Sequence, residues 1–388
     1  MTLSVATNIP YGNASDVSIE ETKDSATIFF AASPSDGPQS LWFCFRVKTN
    51  KKLKHIRFVL KHPYNMLMGS CDLLNILPVV KKDNRQWQRF EKTYQFYILP
   101  DGRYEISWVL NKPRKINDVA LCYPYGTPEL ENLVEESNGY WKKDTIGVST
   151  ENRPMIRLSN DYSFPDSKNS GIYIVARQHS GETPGSWVLD GFLRYLMSVK
   201  TQDLIVWAIP LSNIDGIEKG RYGKDYFPLD LNRSWGKRVL RHEILVIQRD
   251  IARWQERCNP LLGLDFHAPG GAEGDGVYFP TTNKGNIAGI KKKQIYWINR
   301  IGKTVGKDYM FPNYRKNARS EGNLKNLTGL EFTDYFDFIL KTPGLCLEIP
   351  YGINNGMILT KRDYKEIGKR IATAILEEKM EGENDSTC

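Results

Sequence analysis

The strongest constraint on how this chain can fold is a change of period near residue 130. Before it, over 20–125, short β-prone runs recur at 26–31, 41–47, 55–60, 94–99, 104–110 and 119–123. They are separated by breaks such as Pro34-Ser35-Asp36-Gly37 and Pro100-Asp101-Gly102. Several short strands at this spacing predict an all-β sandwich. After it, apolar strand runs alternate with helical faces. A buried-strand run at 172–177 precedes Leu189, Phe192, Leu193 and Leu196, spaced as one helix face. A strand at 204–211 precedes Ile244, Ile247, Ile251 and Trp254, a second helix face. Strands at 261–266 and 344–349, a lysine-rich helix over 286–306 and a closing helix from about Thr360 continue the alternation. Such alternation predicts an α/β sheet covered by helices on both faces. The expected organisation is a β-sandwich domain at 1–128 and an α/β domain at 129–388.

Composition narrows the function classes. The chain has 388 residues, of which 40% are hydrophobic, enough for a large packed core. A formal net charge of +8 spread over scattered lysines is mild, so no nucleic-acid partner is expected. No run of 18 apolar residues exists and Met1–Asn8 lacks a basic start and an apolar core, so neither a membrane span nor a secretory leader is expected. The six cysteines are widely separated, without a Cys-x-x-Cys pair, as buried thiols of a reducing cytoplasm would be.

Chemistry-bearing residues gather in the second half. Ala176-Arg177-Gln178-His179-Ser180-Gly181-Glu182 follows the strand run Gly171-Ile172-Tyr173-Ile174-Val175 and leads into the first helix. An imidazole and a carboxylate three residues apart on such a turn can reach one metal ion; a surface turn would use the same residues without one. His267 ends the strand run Leu264-Asp265-Phe266 ahead of a Gly-rich loop. The carboxyl ends of strands are where α/β sheets gather ligands. Of the five histidines, His55, His62 and His242 read as structural or exposed. Asn232-Arg233, in Asp230-Leu231-Asn232-Arg233-Ser234-Trp235, offers a planar donor fork for a carboxylate, or an ordinary Arg–Asp turn. Glu348 interrupts the apolar strand Leu345-Cys346-Leu347, where a carboxylate needs a partner or a task.

In their order, these pieces resemble the M14 zinc carboxypeptidases. Asn213-Ile214-Asp215-Gly216, Ser186-Trp187 and the Leu121-Cys122-Tyr123-Pro124-Tyr125 phrase at the end of the β region are similar to the cytosolic carboxypeptidase subfamily and its bacterial relatives. The resemblance implies a carboxypeptidase-like mixed sheet and one zinc ion per chain, held by His179, Glu182 and His267. It implies Glu348 as general base, Asn232 and Arg233 as receivers of a substrate's free C-terminal carboxylate, and a peptide or peptide-like substrate. It also suggests Asp265 as a support for His267. Two departures stand out. The family's oxyanion arginine would fall at Gly223, between Arg221 and Lys224; Arg221 is the expected substitute. The basic pocket phrase of glutamate-removing members is absent, and Lys325 or Arg319 would supply positive charge instead. The alternative is a zinc deacylase of N-acyl amino acids, similar to aspartoacylase and succinylglutamate desuccinylase; a third reading is a binding module on an inactive hydrolase scaffold.

Overall fold

The computed structural model describes residues 3–385 apart from 35–38, 65–74, 84, 93, 202–203, 225–228, 237–238, 270–272, 282–288 and 318–329. The β-rich region is two five-stranded sheets. In one, Leu3–Ala6, Cys44–Thr49, Ile116–Ala120, Val79–Lys82 and Gln88–Arg89 lie side by side in that order. In the other the order is Ser15–Glu21, Ser25–Ala31, His55–Lys61, Tyr104–Asn111 and Tyr94–Ile98. Phe30, Phe45 and Phe58 are fully buried and in ring contact, with Phe30 and Phe58 from one sheet and Phe45 from the other. This aromatic layer is the sandwich core. The run expected at 41–47 starts as a strand only at Cys44; Leu41, Trp42 and Phe43 are buried in the loop before it.

The second region is built on an eight-stranded sheet. Its central strands Leu204–Ile209, Ser170–Ala176, Asn259–His267 and Gly344–Glu348 run parallel in that spatial order, flanked by antiparallel pairings. Parallel central strands are buried on both faces, which explains their continuous apolar runs. The helices Thr183–Val199 and His242–Gln255 cover the sheet through the faces read from sequence: Phe192, Leu193, Leu196, Ile244, Ile247, Ile251 and Trp254 are fully buried. Ile290–Val305 and the closing helix Lys361–Asp385 complete the layers. Tyr364, Ile367, Ile371 and Ile375 of the closing helix face inward, as their spacing predicts. The carboxypeptidase-like mixed sheet preceded by a β-sandwich is the expected fold class. No helix among the described residues is long and apolar enough to cross a membrane. Cys44, Cys122, Cys258 and Cys346 are free thiols, the first three buried; Cys71 and Cys388 lie outside the described residues.

One side chain fastens the sandwich to the end of the chain. The Arg89 guanidinium donates to Leu77 O at 2.7 Å, to Leu359 O at 2.9 Å, to the Tyr364 hydroxyl at 3.0 Å and to Tyr351 O, and lies over the Tyr123 ring. Arg89→Met would leave the Leu77 and Leu359 carbonyls without this donor, while Tyr351 O keeps the Tyr364 hydroxyl. We expect a loss of about 3 kcal/mol, since each orphaned buried acceptor costs about 1–3 kcal/mol. A lowered urea midpoint would register it; an unchanged midpoint would contradict the clamp.

Candidate active site

The site begins where the Ser170–Ala176 strand ends. Arg177 takes a left-handed backbone conformation, φ 62°, which turns the chain sharply out of the sheet. Its buried guanidinium holds that turn by donating to Ser180 O, to Tyr125 O at 2.8 Å and to Ser186 Oγ at 3.1 Å. The turn delivers His179, and Glu182 stands at the start of the Thr183–Val199 helix, without a side-chain capping bond, where the N-terminal dipole favours a carboxylate. His267 arrives independently, at the carboxyl end of the adjacent parallel strand, with Glu348 as its register partner on the next one.

These elements bring three ligand-type side chains together. Glu182 Oε1 lies 2.9 Å from His179 Nδ1, Glu182 Oε2 lies 2.8 Å from His267 Nδ1, and the two Nδ1 atoms are 3.1 Å apart. All three residues are buried, and among the described residues they form a group with the composition and spacing of a metal centre. Bonds of about 2.0–2.2 Å to a tetrahedral zinc ion place neighbouring donors roughly 3.3 Å apart, so the donor set fits that ion with little adjustment. The other imidazole nitrogens are already committed: His179 Nε2 sits 3.1 Å from Asp230 Oδ1, and His267 Nε2 sits 2.7 Å from Asp265 Oδ2. A carboxylate behind each histidine fixes its tautomer and leaves Nδ1 aimed at the common point.

The electrostatics follow from this packing. Burial disfavours charge on His179, but Glu182 and Asp230 outweigh it and raise its pKa. Burial likewise opposes charge on His267, whose pKa Asp265 and Glu182 lift well above the usual imidazole range. Glu182 is held well below the carboxylate range, against burial, by both histidines and Lys224. Glu348 goes the other way. Its Oε2 is buried without a hydrogen-bond partner among the described residues, and burial pushes its carboxyl up to about 7.

The remaining site residues divide. Arg233 is 29% exposed in its side chain and pairs with Glu331 at 3.1 Å. Asn232 is buried; its Oδ1 accepts from Phe332 N at 3.0 Å and from Gln178 Nε2 at 3.2 Å, and its Nδ2 lies 3.3 Å from His267 Nε2. Arg221 is fixed through its backbone, donating to Gly216 O and accepting from Ser180 Oγ, whereas the Lys224 ammonium stands 3.5 Å from Glu182 Oε1. Lys325 and Arg319 lie outside the described residues. Sequence reasoning gave no role to Asp230 or to Gln178, whose amide donates to Asp265 and whose Oε1 accepts from Trp235 Nε1 at 2.8 Å. Their signal was position: Gln178 precedes His179, and Asp230 stands two before Asn232.

On this sheet, the His179, Glu182 and His267 donors form a group that could hold a metal ion. Residues 128–266 match the family model described as zinc carboxypeptidase, a match that contains His179, Glu182, Asn232 and Arg233 and stops one residue before His267. Cytosolic carboxypeptidase 6 of Mus musculus is 28% identical over 239 residues, covering 56% of this chain and 44% of its own length. The Homo sapiens protein of that name is 29% identical over 216 residues, covering 50% of this chain and 42% of its own length. The chain thus spans less than half the length of these relatives. A metallo-carboxypeptidase from Burkholderia cenocepacia has the same fold, with a TM-score of 0.78 at 19% identity over 97% of this chain and 98% of that one. One from Pseudomonas aeruginosa, solved with (2-guanidinoethylmercapto)succinic acid, gives 0.73 at 17% identity over 97% and 99%. Residues 128–266 are thus similar to the zinc carboxypeptidases, and the relatives they match are cytosolic members, as the resemblance implies.

Because both imidazoles hold protons more tightly than usual, a metal must displace those protons. Zinc titrated into metal-free protein should therefore release protons and bind more tightly at about pH 8 than at about pH 6. Calorimetry in two buffers of different ionisation enthalpy measures this; uptake without proton release would contradict the raised proton affinity of the two histidines.

Proposed function

We propose that the chain is a zinc-dependent metallocarboxypeptidase that removes the C-terminal residue of peptides or peptide-like substrates. The observation that carries this reading is the convergence of the His179, Glu182 and His267 donors beside a Glu348 oxygen that has no hydrogen-bond partner among the described residues. His179, Glu182 and His267 would hold one zinc ion. Bound there, zinc supplies a water acidified to a pKa of about 7 and polarises the scissile carbonyl. Glu348 accepts a proton from the attacking water and delivers it to the departing amine nitrogen. A carboxylate whose proton affinity lies near neutrality suits both transfers. Arg233, with Asn232 beside it, receives the substrate's terminal carboxylate, exchanging the Glu331 carboxylate for a chemically equivalent one. That requirement for a free terminus makes the hydrolysis exo-acting. The free thiols and the cytosolic relatives support a cytoplasmic location.

Purified protein should contain about one zinc per chain, and Glu348→Gln should keep it while kcat on a blocked dipeptide falls by about 10²–10⁴-fold. Full activity in that variant would remove Glu348 as the base. Amidating the substrate's C-terminus should lower kcat/KM by about 10–100-fold, the worth of a charge-assisted fork. Equal turnover of the amide, or preferential turnover of an N-acetylated amino acid, would favour the deacylase reading.

A further inference from the structure

The three donors reach their common point from two segments. His179 and Glu182 belong to the turn that leaves the Ser170–Ala176 strand, and His267 ends the adjacent parallel strand. One buried side chain joins the two. Gln178 lies between the strained Arg177 and His179, and its side chain reaches across to the residue that supports His267. Its Nε2 donates to Asp265 Oδ2 at 2.7 Å, the same oxygen that lies 2.7 Å from His267 Nε2. It also donates to Asn232 Oδ1 at 3.2 Å. Its Oε1 accepts from Trp235 Nε1 at 2.8 Å. An indole N–H only donates, so this contact fixes which end of the amide is oxygen and holds the NH2 end on Asp265.

The groups around that amide are themselves fixed. Trp235 is fully buried, with its ring against Phe332 and Tyr335. Asn232 Oδ1 also accepts from Phe332 N at 3.0 Å, so two donors set its orientation. Asp265 is fully buried, and its Oδ1 has no hydrogen-bond partner among the described residues. Its Oδ2 takes both the Gln178 amide and the His267 imidazole. Held by two donors from different segments, this carboxylate keeps the imidazole in one plane. Held by the imidazole alone, it would turn together with the ring it supports.

We infer that Gln178 is a positioning residue that straps the His179–Glu182 turn to the His267 strand, so that the three donors stand ready before a metal arrives. The inference rests on the reading of those donors as one zinc site. Gln178 acts through Asp265 and not on the reacting atoms. A donor set that needs no rearrangement loses less free energy to ordering when it binds. The signature of the strap is therefore in zinc affinity and zinc dissociation, not in the step that breaks the peptide bond. A direct support of a ligand histidine is worth about 10–100-fold in metal affinity; Gln178 stands one contact further out, at the lower end of that range, about tenfold.

The test uses full-length Gln178→Met, Trp235→Phe and the double variant. It reads zinc affinity by competition with a chelator, the zinc dissociation rate, the urea midpoint of metal-free protein, and turnover of a blocked dipeptide at low and high free zinc. Gln178→Met should weaken zinc binding about tenfold and speed dissociation by a similar factor, and raising free zinc should restore most of the lost turnover. Trp235→Phe removes the N–H that orients the amide. It should weaken zinc about threefold alone but by under about 1.5-fold in the Gln178→Met background. A fall in the urea midpoint with zinc affinity and dissociation unchanged overturns the positioning role. An equal loss from Trp235→Phe in both backgrounds overturns the relay through the indole. Should Gln178→Met not fold, Gln178→Asn, too short to reach Asp265, is read the same way. Zinc-loaded wild-type protein that hydrolyses no dipeptide sinks the carboxypeptidase reading alone, since affinity and dissociation are read without substrate. Wild-type protein that takes up no zinc overturns both.

Discussion

A single fully buried carboxylate, Glu182, organises this molecule. One oxygen faces His179 Nδ1 and the Lys224 ammonium; the other faces His267 Nδ1 and accepts from Ala268 N at 3.1 Å. An unpaired carboxylate at that depth would be prohibitively costly. Its partners come from three separated parts of the chain, and the structure that delivers them can be read as the device that makes the burial tolerable. The parallel register of the central strands puts His267 level with the end of the Ser170–Ala176 strand. The strained Arg177 turn places His179. The Gly220–Gly223 backbone lets the 220–224 stretch lie flush against that turn.

The aspartates behind the histidines extend the same logic. Asp230 and Asp265 each take one imidazole nitrogen, so both rings present Nδ1 to the common point and neither is free to rotate. Gln178 ties Asp265 to Asn232 and is gripped in turn by Trp235. A layer of neutral amides thus separates the charged cluster from the aromatic packing of Trp235 against Phe332 and Tyr335. Such a network holds ligands in place before a metal arrives, which limits the ordering cost of binding it.

How much of this was legible in the sequence depended on whether the signal was local. The central strands and the covering helices were legible because apolar period alone encodes them. The edge strand Ser15–Glu21, Ser-Asp-Val-Ser-Ile-Glu-Glu, was not: an exposed, polar edge has no apolar run to read. Within the site, the ligand-type residues stood out by spacing and by their positions at strand ends. The fold class and the family resemblance followed from them. What escaped were contacts made across the fold. Nothing local in Asn13 announces that its amide donates to Gly220 O at 2.7 Å, and nothing in the motif order tells Lys224 from Arg221. That distinction comes from the Lys224 ammonium standing 3.5 Å from Glu182 Oε1, which only three-dimensional packing reveals. Asn232 read as a carboxylate donor beside Arg233; in the structure its amide is turned inward toward His267 and Phe332.

The central claim is that the three convergent donors hold one zinc ion through the Nδ1 atoms of both histidines. Anomalous diffraction at the zinc edge, from crystals of protein purified without chelator, tests it most directly. The account predicts one strong peak within about 2.0–2.2 Å of His179 Nδ1, His267 Nδ1 and a Glu182 oxygen. No peak at that point, or a metal bound through the Nε2 atoms that now face Asp230 and Asp265, would contradict it.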